Sequence, residues 1–208
     1  MNRLVLSTVL CLATISWSAD VFPWEGATTL TDKKGQTLVW TVQRVDGEVH
    51  ITGVHPNWQV EHVAKPDGTP LSTVKKTKAG TTRVTYTAEG AQLEHTDSKG
   101  AKTSVTIKER GLWDGDTLDV RLAGLSWSEG KKAKMKIVDV DAADGSLVPM
   151  VAEYAGQEKC GDAPCHRIHL ALDDFRRLFA PTWEYRYATA VGAKYLQHDG
   201  DGFVFTAR

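Results

Sequence analysis

Val151 to Tyr187 reads VAEYAGQEKCGDAPCHRIHLALDDFRRLFAPTWEYRY, and its rhythm decides the fold. A run to Tyr154 precedes a pinched loop between Cys160 and Cys165, and alternation resumes over Arg167 to Leu172. Successive side chains of a strand point to opposite faces. Ile168, Leu170 and Leu172 therefore share a face with His166, and Cys165, Arg167 and His169 share the other. Asp173 or Asp174 is placed to cap a single turn over Phe175 to Phe179, which Pro181 ends. Trp183, Tyr185 and Tyr187 then line one face of the next strand. Strand, loop, strand, turn and strand in so short a space predict an antiparallel sheet.

The same period of two runs toward the N-terminus. Thr37 to Val45 is rich in β-branched and aromatic residues, stops at Asp46-Gly47 and resumes at Glu48 to Thr52, which is a strong short-range hairpin signal. Trp58 to Val63, Leu71 to Lys76, Arg83 to Thr87, Gln92 to His95 and Thr103 to Ile107 follow. Turns at Pro66-Asp67-Gly68, Ala79-Gly80, Glu89-Gly90 and Ser98-Lys99-Gly100 separate them. No unit recurs as a motif, so the pattern is a meander rather than a solenoid or propeller. One helix is predicted at Asp114 to Gly124, with Asp114 or Asp116 as cap, Leu118, Leu122 and Leu125 on one face, and Gly124 as a left-handed C-cap. Lys131 to Val140 alternates lysine with apolar residues, as a soluble sheet edge does. Beyond Tyr187, a last hairpin runs from Lys194 to Phe205 with its turn at His198 to Gly202.

Residues 1–19 carry the marks of an export signal: Arg3, an apolar run from Leu4 to Ile15 too short to span a bilayer, and small residues around Ser18-Ala19. Cleavage there places the mature chain in the periplasm or outside the cell. It leaves one domain over residues 20–208 and removes Cys11, so two cysteines remain in an oxidising compartment. Of 25 basic residues, loss of Arg3 leaves 24 against 26 acidic ones, for a mature charge near -2. With the basic residues scattered, nothing attracts nucleic acid, and no transmembrane segment is expected.

Cys160-Gly161-Asp162-Ala163-Pro164-Cys165-His166 admits two readings. As a disulfide it pins a hairpin tip. As the less common haem-attachment spacing it would hold a porphyrin on both thiols, with His166 as iron ligand. The alternation running straight on from His166 favours the disulfide. Zinc on Cys160, Cys165 and His169 lacks a fourth ligand, so no metal is expected. Asp139 to Gly145 has neither the aspartate spacing nor the twelfth-position glutamate of a calcium loop and reads as a turn. Asp114, Asp116 and Asp119 form an acidic cluster that a helix N-terminus explains. His50, His55 and His62 are scattered, and no nucleophile, zinc or nucleotide motif occurs. No catalytic residue or cofactor is expected. A hydrolase would require two of these acids or histidines to converge in a cleft with nothing structural to occupy them.

Six tryptophans remain after export, several on well-patterned strands. Trp40, Trp58, Trp183, Tyr185 and Tyr187 are candidates for the lining of a cavity on the concave side of the sheet. From Val151 onward, Gly156-Gln157-Glu158, the Arg167 to Leu172 strand, the short turn, the Trp183 to Tyr187 strand and the closing hairpin resemble a family of exported bacterial proteins, the domain-of-unknown-function-3108 type. Pro66-Asp67-Gly68 and the helix near Leu118 to Leu125 fall in the same order. The resemblance implies an open β-barrel shaped like lipoprotein carriers, with no established activity to transfer. The expected protein is mainly β, one curved antiparallel sheet or open barrel with one short helix. It would be an exported, non-enzymatic binding or envelope-structural protein whose partner is an apolar ligand or another envelope protein.

Overall fold

A computed structural model describes residues 21–189 except 23, 161 and 181, together with the backbone of strands at 195–200 and 203–207. The expected export signal, Cys11, Gly161, Pro181, Lys194 and the turn expected at 201–202 lie outside the described residues.

Two meanders make one sheet. The first comprises β1 (Gly26–Thr31), β2 (Thr37–Val45), β3 (Glu48–His55), β4 (Trp58–Ala64), β5 (Pro70–Thr77), β6 (Gly80–Thr87), β7 (Gly90–Asp97) and β8 (Lys102–Ile107). A three-residue strand β9 (Leu112–Asp114) and helix α1 (Leu118–Ala123) lead into the second. That one comprises β10 (Lys132–Val138), β11 (Leu147–Cys160), β12 (Ala163–Leu172), β13 (Trp183–Ala188), β14 (Tyr195–Gly200) and β15 (Phe203–Ala207). Because β1 pairs with β15, the order across the sheet runs from β8 down to β1, then from β15 down to β9.

This order explains the curvature. The two outermost strands, β8 and β9, are consecutive in the chain and separated only by residues 108–111. Fifteen strands laid flat would hold their edges about 65 Å apart, whereas so short a link spans less than about 20 Å. The sheet must roll until its edges meet. They meet through side chains: Val84, Tyr86, Leu93 and Ile107 of β6 to β8 pack with Leu112, Val138 and Val140. A second, larger core joins Leu30, Trp40, Val42, Ile51 and Val60 to Ile137, Ile168, Leu170, Tyr185 and Tyr187, with α1 and the N-terminal Phe22 and Trp24 plugged into it.

The turns follow the residue chemistry expected of them. Asp46 (φ 51°) and Gly47 (φ 84°) take the paired left-handed conformations that match strand twist. Asp174 accepts from Arg176 N at 2.9 Å and caps a 3-10 turn at Phe175–Leu178. Asp139 accepts from Asp141 N and Ala142 N, and Asp144 from Ser146 N, which makes that stretch a turn.

Four expectations change. The helix is shorter, because Asp114 belongs to a strand and the turns start only at Leu118. Gly124 is right-handed (φ -82°), and it is glycine for another reason: a Cβ there would run into the Val21 carbonyl. β10 is next to the edge, since β9 pairs with it over Lys136 to Val138, and that pair is parallel because α1 carries the chain across instead of a hairpin. His198 and Asp199 remain in the β13–β14 ladder, opposite Tyr185 and Glu184, so the strand outlasts the turn read there.

Candidate functional site

The β9–α1 segment, Leu112-Trp113-Asp114-Gly115-Asp116-Thr117-Leu118-Asp119, enters the hollow and brings three carboxylates with it. Asp114 is buried and fully hydrogen-bonded. Its Oδ2 accepts from Thr73 Oγ1 (2.6 Å) and Tyr86 OH (2.9 Å), and its Oδ1 from Thr117 N and Oγ1 (both 3.1 Å). Thr73 has one hydroxyl proton and gives it to Asp114, so the 2.8 Å contact from His62 Nδ1 must be a donation from the ring, which fixes the Nδ1–H tautomer. Burial, opposed by Asp114, lowers the pKa of His62, consistent with a neutral ring. Burial and Asp114 together raise that of Tyr86 well above the phenol range. These bonds tie β5 and β6 to β9 where the sheet's edges meet.

Asp116 makes a second tie. Lys75 Nζ lies 2.7 Å from both Asp116 Oδ1 and Asp141 Oδ2 and 5.7 Å from the Trp58 ring centre. Burial alone lowers the Lys75 pKa, but the two carboxylates outweigh it and hold the pKa above the ordinary lysine value. Asp116 is pushed up to about 7 by burial and by Asp114, against the pull of Lys75. Its Oδ2 is buried with no hydrogen-bond partner among the described residues. Asp119 accepts from Trp40 Nε1 (3.0 Å) and from Val120 N (2.8 Å), and burial lifts it to about 7.

Beside these acids lies a cavity of about 400 Å³, walled by Leu38, Trp40, Trp58, Leu118 and Tyr185, with His55 and Asn57 at β3–β4 and Asp116 and Asp119 as its acidic side. Trp40 and Trp58 stand 6.0 Å apart at 49°, and His55 stacks on Trp58. The Trp40 ring can come up against β3 because its register partner is Gly53, where a Cβ would run into the indole. A second cavity, of about 380 Å³, shares Gly115, Asp116, Leu118 and Tyr185 with the first and extends along Ile137, Met150, Leu170 and Trp183 to Asp139 and Asp141.

Of the aromatic residues singled out from the sequence, Trp40, Trp58 and Tyr185 line the first cavity, and Trp183 with Tyr185 lines the second. Tyr187 lines neither. It is buried against Tyr185 and donates its hydroxyl to the Asp119 carbonyl at 2.9 Å. The sequence reading places neither Lys75 nor Leu38 at a site and takes His55 as a scattered histidine and Asp141 as a turn residue, since nothing local marks a lysine on β5 as the partner of a turn between β10 and β11. The acidic triplet was visible, but capping does not account for it: Thr117 occupies the N-cap position, and each aspartate has its own interior partner. Two of these acids do converge in a cleft as a hydrolase would require, yet Asp116 holds Lys75 and Asp119 holds Trp40.

Cys160 and Cys165 are joined as a disulfide with Cα atoms 5.9 Å apart, across the end of the β11–β12 hairpin. Bonded to each other, the sulfurs have no thiol to offer a porphyrin. His166 stays in sheet register opposite Gln157 and Tyr187, with its ring edge-on to Tyr154. Glu158, Cys160 and Cys165 are the only group of donors near enough to share a metal among the described residues, and the disulfide occupies two of the three. His169 pairs with Glu184 at 3.0 Å. No described helix is long and apolar enough to cross a membrane.

No family model matches the chain, and no curated protein matches it. Among solved structures it is similar to the crystal structure of a β-barrel-like protein of the domain of unknown function DUF1849 from Brucella abortus, with a TM-score of 0.57 and 10% identity. The likeness covers 91% of this chain and 96% of that one. At that identity it shows the fold alone, which is β-barrel-like, and it does not carry the finer family label suggested by the sequence.

Proposed function

We propose that this is an exported, non-enzymatic binding protein that holds a small apolar ligand between the β2–β4 wall and α1. The observation that carries the proposal is the cavity of about 400 Å³ lined by Leu38, Trp40, Trp58, Leu118 and Tyr185. Its size and mainly apolar wall with a few polar groups are those of a small-molecule site. Asp116 and Asp119 set the polar end. Above about pH 7, where both acids are ionised, a carboxylate beside the ligand accepts hydrogen bonds and repels negative charge, so at pH 8 an alcohol or amine headgroup fits and an anionic one does not.

The test is titration of the mature protein with octanol, octylamine and octyl sulfate, read by tryptophan fluorescence and native mass spectrometry. Octanol and octylamine quench saturably with one-to-one adducts, and octyl sulfate binds at least about tenfold more weakly, the ratio that 1.4 kcal/mol gives. Asn57→Trp, at an exposed rim position, blocks entry. Absence of saturable quenching with all three probes refutes the reading, and equal binding of the sulfate refutes the role of the acids.

A further inference from the structure

Among the described residues, five large apolar side chains are exposed, and three of them fall within five positions: Phe175 (77%), Leu178 (82%) and Phe179 (84%). They form the tip of the 3-10 turn between β12 and β13. Residues three apart eclipse one another in such a turn, so Phe175 and Leu178 stand on one side, with Phe179 directly after. The other side carries Arg176 and Arg177. Arg176 is held by Asp174 (2.6 Å) and Arg177 reaches Glu153 (3.4 Å). Lys132 and Lys134 on neighbouring β10 pair with Glu153 and Asp173 and keep most of their length in solvent, 59% and 72% exposed.

We propose that this tip inserts into a lipid bilayer surface. Three observations converge on lipid. The apolar group is a protrusion, and a protrusion needs a partner that opens around it, as the acyl boundary of a membrane does for Phe and Leu side chains. The surrounding charge leaves a surplus of one cation, the sign that anionic lipid headgroups attract: Lys132, Lys134, Arg176 and Arg177 are paired with only three carboxylates, Glu153, Asp173 and Asp174. Long cationic side chains around an apolar tip keep their heads at the phosphate level while the stems follow the apolar residues inward. The position is the third. Leu170 and Trp183 close the β12–β13 ladder at the base of the turn, and both line the second cavity, so docking of the tip brings that cavity to the bilayer.

Docking of the tip does not depend on what the cavity holds, and the test needs no ligand. The mature protein is floated with vesicles of phosphatidylcholine, with and without phosphatidylglycerol, beside a triple variant Phe175→Ser, Leu178→Ser, Phe179→Ser and a control Val45→Ser, Val54→Ser. The wild type and the control float with both vesicles, more strongly with the anionic ones, and the triple variant loses at least about tenfold in binding. Exposed side chains contribute little to stability, so the triple variant melts with the wild type. Wild-type protein that stays in solution, or a triple variant that floats equally well, overturns the proposal. So does a wild-type dimer that the triple variant converts to monomer without any vesicle binding, because the tip would then be the contact between two copies of the chain.

Discussion

Asp114 and Asp116 stand two residues apart on the segment that enters the barrel, and the regions around them differ in kind. At Asp114, four donors from β5, β6 and the start of α1 satisfy one buried carboxylate. At Asp116, one oxygen holds Lys75 and the other has no partner among the described residues, beside a cavity with aromatic walls. The first region is a joint: it ties the edge strand β9 to β5 and β6, which no backbone ladder joins to it. The second is incompletely satisfied within the chain, as a region that receives something from outside would be. Placing the joint next to the cavity lets the same loop close the barrel and furnish the acidic side of the cavity.

Substitution breaks this contrast most directly. Asp114→Ala leaves Thr73, Tyr86 and Thr117 with buried, unpaired donors, and urea unfolding registers a loss of about 3–5 kcal/mol. Asp116→Ala costs about 1–2 kcal/mol, because Lys75 keeps Asp141. Equal losses would mean that the two carboxylates do the same work. Next in size is Gly53→Val. The new side chain meets the Trp40 ring and Val60: even a Cβ would run into the indole and lie 2.8 Å from Val60. Overpacking of this kind costs about 1–3 kcal/mol, and displacement of Trp40 shifts the tryptophan emission. The disulfide lines neither cavity. Paired Cys160→Ser and Cys165→Ser lowers stability by about 2 kcal/mol and leaves probe titration of the cavity unchanged.

The sequence discloses what is local. Period-two alternation and turns such as Asp46-Gly47 yield nearly every strand of both meanders, and the Cys160–Cys165 spacing matches the hairpin it closes. Trp40, Trp58 and Tyr185 could be marked because large aromatics on an inward face either fill a core or wall a cavity; these three do the second and Tyr187 the first. What stays hidden depends on closure. The parallel β9–β10 pair, the salt bridges from Lys75 to Asp116 and Asp141, and the His62–Thr73–Asp114 chain all join segments that come together only after the sheet has rolled. Gly124 is instructive in a different way: glycine one residue past a helix suggests a left-handed cap, while its use here is to let Val21 approach.

The finest distinction is electrostatic and is read from pH. Burial raises Asp119 from an ordinary 3.8 to about 7. Between those two values the folded chain keeps its proton and the unfolded chain has lost it. The native state therefore binds more protons, and stability falls as pH rises across the window, by up to about 1.4 kcal/mol per pH unit for one such group. Asp119→Asn removes the titration while its amide oxygen can still accept from Trp40 Nε1. The stability of the variant relative to wild type accordingly rises from pH 4 to pH 7 and levels off above. His62, whose lowered pKa gives the opposite slope below its unfolded value of 6.5, is present in both proteins and cancels in the difference. Urea midpoints taken at intervals across this range measure it directly. A constant difference would show that Asp119 is ionised throughout, and the acidic end of the cavity would then hold its charge even where it binds no cation.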